Sequence, residues 1–166
     1  MTTRTLMMLR HGKSAHPDGV RDEERPLAKR GRKDIPHVAE EMRRQNLIPD
    51  LVVCSPSERT RRTADLLLET LDERIQTVFV ADLYLAEAED IARIVAELPR
   101  ESLNPLLVGH NPGTETFARK LAGNDFPHDK FPTGTLAAFR LEADDWKEVT
   151  GQNAELVAFL RPRGLS

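Results

Sequence analysis

Cysteine is nearly missing from this chain. Of its 166 residues only Cys54 is a cysteine, so no disulfide can form within it and a reducing compartment is expected. Long apolar runs are missing too. None approaches the ~20 residues that a membrane span needs, so no membrane partner is expected. The first residues, Met1-Thr2-Thr3-Arg4, show no signal-peptide apolar stretch, and the expected location is cytoplasmic. An excess of positive charge is also absent. The net charge is -3, which invites no nucleic acid, so any anion site must be a local cluster. No internal repeat or low-complexity segment interrupts the chain. His16, His37 and His128 lack the spacing to carboxylates or cysteine that a metal site needs, so no metal is expected.

What is present suits a soluble globular protein, with 39% apolar and 31% charged residues. One domain over 1–166 is the expectation at this length, with ample residues for a core. The most informative stretch is Leu6-Met7-Met8-Leu9-Arg10-His11-Gly12-Lys13-Ser14. Its apolar half reads as a short buried strand over 5–9. The strand then ends abruptly in a cation, an imidazole and a glycine. In an open α/β sheet the carboxyl ends of strands are where ligands sit. Arg10 offers a planar fork of donors suited to phosphate or carboxylate. His11 can serve as nucleophile, base or acid near neutral pH. Gly12 allows a tight turn or a close approach of backbone to ligand.

Further along, residues 13–26 form a polar, turn-rich loop that includes the acidic run Asp22-Glu23-Glu24. Ile35, Val38, Ala39 and Met42 then make one apolar helical stripe, with Pro36 expected to kink that helix or mark its regular start. Leu51–Cys54 is a second buried strand. It runs into Ser55-Pro56-Ser57-Glu58-Arg59, where Ser55 and Glu58 have capping-box spacing and Pro56 falls at the first helical position. Arg59 thus lies in the first turn of a helix, whose start favours anions. A third strand over 77–81 and an amphipathic helix follow. Leu106-Leu107-Val108 is a fourth strand, ending in Gly109-His110-Asn111-Pro112, with Asn111 expected as a helix cap. Residues 135–141 and 154–160 read as a late strand pair at one side of the sheet, and the tail from Arg161 reads as loose. Strands alternating with helices predict a three-layer α/β/α sandwich, with a mostly parallel sheet of about six strands and helices on both faces.

Three strand ends then converge on one edge and present Arg10-His11, Ser55 through Arg59, and His110. Two arginines and two histidines, with no carboxylate among them, suit a phosphoryl group. An imidazole can attack phosphorus and form a covalent phosphohistidine, with arginine and imidazolium supplying charge in place of a metal or other cofactor.

The ordered pieces Arg10-His11-Gly12, Arg25-Pro26-Leu27 with Gly31, Ser55-Pro56 with Arg59 and Thr63, and Gly109-His110 resemble the histidine phosphatase superfamily. They are most similar to the short SixA-type phosphohistidine phosphatases. The resemblance implies that His11 is the nucleophile and that Arg10 and Arg59 hold the phosphoryl oxygens. His110 would donate to those oxygens, and Gly12 and Ser14 would add phosphate contacts. Larger members carry a glutamate general acid after the third strand. Here Tyr84 stands at that position with Glu87 nearby, so both are candidate proton donors, and Tyr84 also reads as a packing residue. The short third-strand connection leaves no room for a large cap. The expected substrate is phosphohistidine on a signalling or phosphotransfer protein. The alternatives are a small-molecule phosphomonoesterase and a non-catalytic phosphate- or phosphoprotein-binding module. A cysteine phosphatase is a poor fit, because Thr60 stands where such an enzyme needs arginine after Cys54.

Overall fold

Side chains along the first strand divide between two cores, and that division organises the molecule. The computed structural model describes residues 1–127 and 130–162; His128 and the tail from 163 onward lie outside the described residues. Strand β1 (Thr3–Arg10) sends successive side chains to opposite faces, as the two-residue period requires. Leu6 and Met8 enter one core, Met7 and Leu9 the other. β2 (Leu51–Cys54) and β4 (Pro105–Gly109) divide the same way. Val53 and Leu107 face the first core, and Val52, Leu106 and Val108 face the second. Strands buried on both faces belong to a sheet covered by helices on both sides.

Those helices are α1 (Lys29–Arg44) and α2 (Glu58–Leu71) on one face, and α3 (Ala88–Ala96) and α4 (Gly113–Ala122) on the other. The stripe Ile35, Val38, Ala39, Met42 of α1 packs with Ala64 and Leu67 of α2. Ile91 and Val95 of α3 pack with Phe117 and Leu121 of α4. Pro36 lies inside α1, so the helix starts well before it. Among the described residues, no helix is long and apolar enough to cross a membrane.

The sheet order is β3-β2-β4-β1-β5-β6, with β3 spanning Thr77–Phe79, β5 Leu136–Glu142 and β6 Ala154–Leu160. β1 to β4 run parallel to one another. β5 is antiparallel to β1 and to β6, so it alone opposes the rest. β1 and β4 are neighbours, with Arg10 paired to Gly109. The chain leaves β1 for a helix on one face and leaves β4 for a helix on the other. Such a reversal opens a crevice at the carboxyl ends of the two strands, directly beside His11 and His110.

Candidate active site

The turn after β1 is held by its own backbone. His11 N–H donates to Gly109 O at 3.1 Å, which continues the pairing with β4. Gly12 N–H donates to Thr63 Oγ1 at 3.0 Å, and that hydroxyl donates to Arg59 O at 2.7 Å. One threonine on α2 thus ties the histidine turn to the arginine turn. Gly12 O lies 2.7 Å from His11 Nδ1. A carbonyl oxygen only accepts, so Nδ1 carries the proton and Nε2 keeps a free lone pair. Because its N–H is committed to Thr63, Gly12 shapes the turn instead of offering that N–H to a ligand. α1 presses close behind: a Cβ on Gly31 would lie 2.3 Å from Lys13 O, so only glycine lets helix and loop meet there.

His110 sits across from His11, with ring centroids 5.3 Å apart. Its Nε2 lies 2.8 Å from Ser55 Oγ, which turns Nδ1 toward Arg59 Nη2 at 3.5 Å. This contact changes the expected start of α2. The cap is Ser57, whose hydroxyl accepts from Thr60 N–H at 3.4 Å. Ser55, the residue after the strand, continues its pairing, its N–H donating to Val108 O at 3.0 Å, and its hydroxyl is claimed by His110. At α4 the cap position likewise falls on Pro112, with Asn111 Oδ1 accepting from Glu115 N–H at 3.3 Å. Arg10 Nη1 donates to Phe131 O at 3.0 Å. The Nε atoms of Arg10 and Arg59 are buried with no hydrogen-bond partner among the described residues. Both guanidinium groups border one crevice, and their chemistry suits an anion.

The site also contains a carboxylate that the strand ends did not announce. Asp22, from the loop after β1, sets Oδ2 at 3.0 Å from Arg59 Nη2 and Oδ1 at 3.0 Å from Arg25 Nη1. Tyr84 OH donates to Asp22 Oδ2 and lies 3.1 Å from Glu23 Oε1. Arg25 Nη2 also donates to Ser14 Oγ at 2.6 Å, leaving the Ser14 hydrogen free for a ligand. Arg25 belonged to a recognised sequence piece, but nothing in its spacing said it would reach the pocket. Asp22 lay in a run that reads as solvated loop. Glu87 is not brought in. It is exposed, caps α3 in a reciprocal box with Asp90, and borders a separate cleft beside Pro112.

Electrostatics follow from burial. His11 and His110 are only 7% and 3% exposed. Burial, reinforced by the nearby arginine charges, pushes His11 down to about 4. His110 is pushed to about 3 by burial first and then by the charges of His11 and Arg59. Both imidazoles are therefore neutral at pH 7. Asp22 is held well below the usual carboxylate range by the Tyr84 hydrogen bond first, then by Arg25 and Arg59. Tyr84 is pushed up to about 12 by burial and by those two carboxylates. Arg10, His11, Ser14, Arg59 and His110 together line an open cavity of about 380 Å³. Cys54 lies outside it, buried, with its thiol donating to Ser55 O at 3.2 Å and burial raising it to about 12. It offers no thiolate.

Comparison with known proteins shows the family. Residues 6–83 match the histidine phosphatase superfamily, branch 1. A solved structure from Nakamurella multipartitia, assigned as a phosphohistidine phosphatase SixA, superposes with a TM-score of 0.83 at 25% identity, covering 99% of each chain. The chain belongs to the histidine phosphatase superfamily. A second solved histidine phosphatase, assigned as SixA from Agrobacterium tumefaciens, gives a TM-score of 0.82 at 27% identity over 96% of this chain and 98% of its own. An uncharacterized protein of Mycobacterium tuberculosis is 33% identical over 163 residues, spanning 93% of this chain and 100% of that protein. As a member of the superfamily the protein is a phosphatase, and its crevice between β1 and β4 is where the four expected strand-end residues meet.

Proposed function

We propose that the protein hydrolyses phosphohistidine carried on another protein, through a phosphohistidine formed on its own His11. His11 Nε2, unprotonated at neutral pH, attacks phosphorus. The substrate ring takes a proton from solvent at its other nitrogen, the phosphorus–nitrogen bond breaks, and its electron pair leaves with a neutral imidazole. Water then attacks the phosphoryl group on His11. Inorganic phosphate departs and the Nε2 lone pair is restored. Arg10 and Arg59 hold the equatorial oxygens, with Ser14 as a further donor. His110 donates from Nδ1 as charge develops in the neutral tautomer whose Nε2 accepts from Ser55 Oγ; in the other tautomer Nδ1 accepts from Arg59. The charge these residues supply leaves no step that calls for a metal.

The observation that carries the substrate class is the want of a proton donor. Among the described residues, Asp22 is the carboxyl lining the cavity, and it is ionised at neutral pH. The Tyr84 proton is aimed at Asp22 and its hydroxyl is harder to ionise than usual. Glu87 lies outside. An ester needs its poor alkoxide leaving group protonated. An imidazole, whose conjugate acid has a pKa of about 6.5, departs with far less help. The SixA-assigned neighbours support the same class. A cytoplasmic signalling or phosphotransfer protein is the partner that fits.

The test compares turnover of a histidine-phosphorylated phosphotransfer protein with a panel of small phosphate esters, using wild type and His11→Ala. The expected result is a clear kcat/KM preference for the phosphohistidine protein, an acid-labile phosphoenzyme in the wild type, and neither in His11→Ala. Full activity in His11→Ala would sink the mechanism. Preference for an ester would move the protein to the phosphomonoesterases, and no phosphoenzyme with any donor would leave a binding module.

A further inference from the structure

A second and larger cavity, about 690 Å³, adjoins the catalytic one on the side of Phe131 and Pro132. The two share Arg10, Lys13, Asn111 and Thr133 on their walls. The larger one adds Arg30 from α1, Lys130 and Arg161. Among the described residues, five cations therefore border it, against one carboxylate, Glu115. That carboxylate is already engaged, by Arg119 Nε at 3.0 Å and by Asn111 Nδ2 at 3.3 Å. Lys13 and Lys130 have no ion-pair partner among the described residues, and Arg30 leans on Asp34 at 3.6 Å. This concentration stands out on a chain whose net charge is -3. The catalytic steps use Arg10 and leave Lys13, Arg30 and Lys130 without a task.

We infer that this cavity is the specificity half of the site, and that it takes acidic side chains flanking the phosphorylated histidine of the protein partner. The inference rests on the phosphohistidine reading above. The catalytic cavity accommodates a phosphoryl group and its imidazole. The residues on either side of that histidine in the partner follow at about 3.8 Å per residue along its backbone, so they must lie over an adjoining surface. The adjoining surface here is the cationic one. Carboxylates meeting these lysines and arginines would improve orientation and encounter more than raw affinity. The walls Phe131, Pro132 and Pro162 leave apolar surface for the stems of such side chains. A long polyanion suits it less, because the negative chain as a whole repels one.

The experiment uses three phosphohistidine peptides that differ only in flanking charge: acidic, neutral and basic. Each is turned over by wild type, by the double variant Arg30→Glu with Lys130→Glu, and by the milder Arg30→Ala with Lys130→Ala. Wild type should favour the acidic over the neutral peptide by about tenfold in kcat/KM, a preference that shrinks as salt rises. The alanine pair should bring that ratio close to one, and the glutamate pair should turn it toward the basic peptide. Para-nitrophenyl phosphate reports the catalytic centre of each variant separately. Equal turnover of all three peptides by wild type overturns the inference and leaves the phosphohistidine reading standing. No turnover of any peptide while para-nitrophenyl phosphate is hydrolysed overturns both. A sugar bisphosphate preferred over its monophosphate, with loss of that preference in the alanine pair, would assign the cavity to a second phosphate of a small molecule and overturn the protein partner.

Discussion

Titrating His11 tests the central electrostatic claim. Its ring is buried, and burial is the largest cause that lowers it from 6.5 to about 4, ahead of Arg59, Arg10 and Arg25. A displacement of that size corresponds to about 3 kcal/mol against the imidazolium. At pH 5 the folded protein should hold roughly nine-tenths of His11 neutral, whereas an ordinary histidine would hold about one-thirtieth. The assay is the pH dependence of the imidazole proton resonances, assigned with His11→Ala and His110→Ala. The acid limb of kcat/KM, corrected for the substrate's own ionisation, should follow the same midpoint. Arg59→Gln then separates the causes. Removing one cation should raise the His11 midpoint but leave it well below 6.5, because desolvation remains. A wild-type midpoint at 6 or above would refute the buried, neutral nucleophile. A return to 6.5 in Arg59→Gln would show that charge, not burial, sets it.

Stability should follow from the same two histidines. The unfolded chain protonates them at about 6.5, while the folded chain resists until about 4 for His11 and about 3 for His110. Their contribution is therefore complete above pH 6.5 and is lost as pH falls toward those values, by up to about 2–3 kcal/mol per pH unit while both resist. Urea midpoints at pH 7 and pH 5 read this directly, and equal midpoints would contradict it. Gly31→Ala places a methyl 2.3 Å from Lys13 O, so it should cost about 1–3 kcal/mol and displace the turn that holds His11, seen as lower stability together with lost turnover. Thr63→Val leaves the Gly12 N–H without an acceptor, at a cost of about 1–3 kcal/mol. It should lower kcat more than it raises KM, and Thr63→Ser should restore both if the hydroxyl is what matters.

Much of the scaffold was legible because its signals are short in range. A strand's two-residue period and a helix's 3.6-residue period are properties of neighbouring residues, so Leu6 to Leu9 and the stripe from Ile35 to Met42 could be read directly. The meeting of Arg10, His11, Arg59 and His110 was legible for a related reason. Each ends a buried strand or begins the helix after one, and parallel strands bring such ends to one edge. Tertiary contacts decided the rest. Ser55 and Ser57 are both sound helix caps by local chemistry. His110, far along the chain, claims Ser55, and the cap falls to Ser57. Asp22 and Arg25 sit in a loop with no periodicity, so only the folded chain could bring them to Arg59, Tyr84 and Ser14. Glu87 looked near the pocket by sequence, and its reciprocal box with Asp90 holds it outside. The cations of the second cavity come from residues 10, 13, 30, 130 and 161, positions that no local pattern connects. Local energetics chose the elements and their buried faces, while the sheet order and the turns that follow it chose which distant charges would share one crevice.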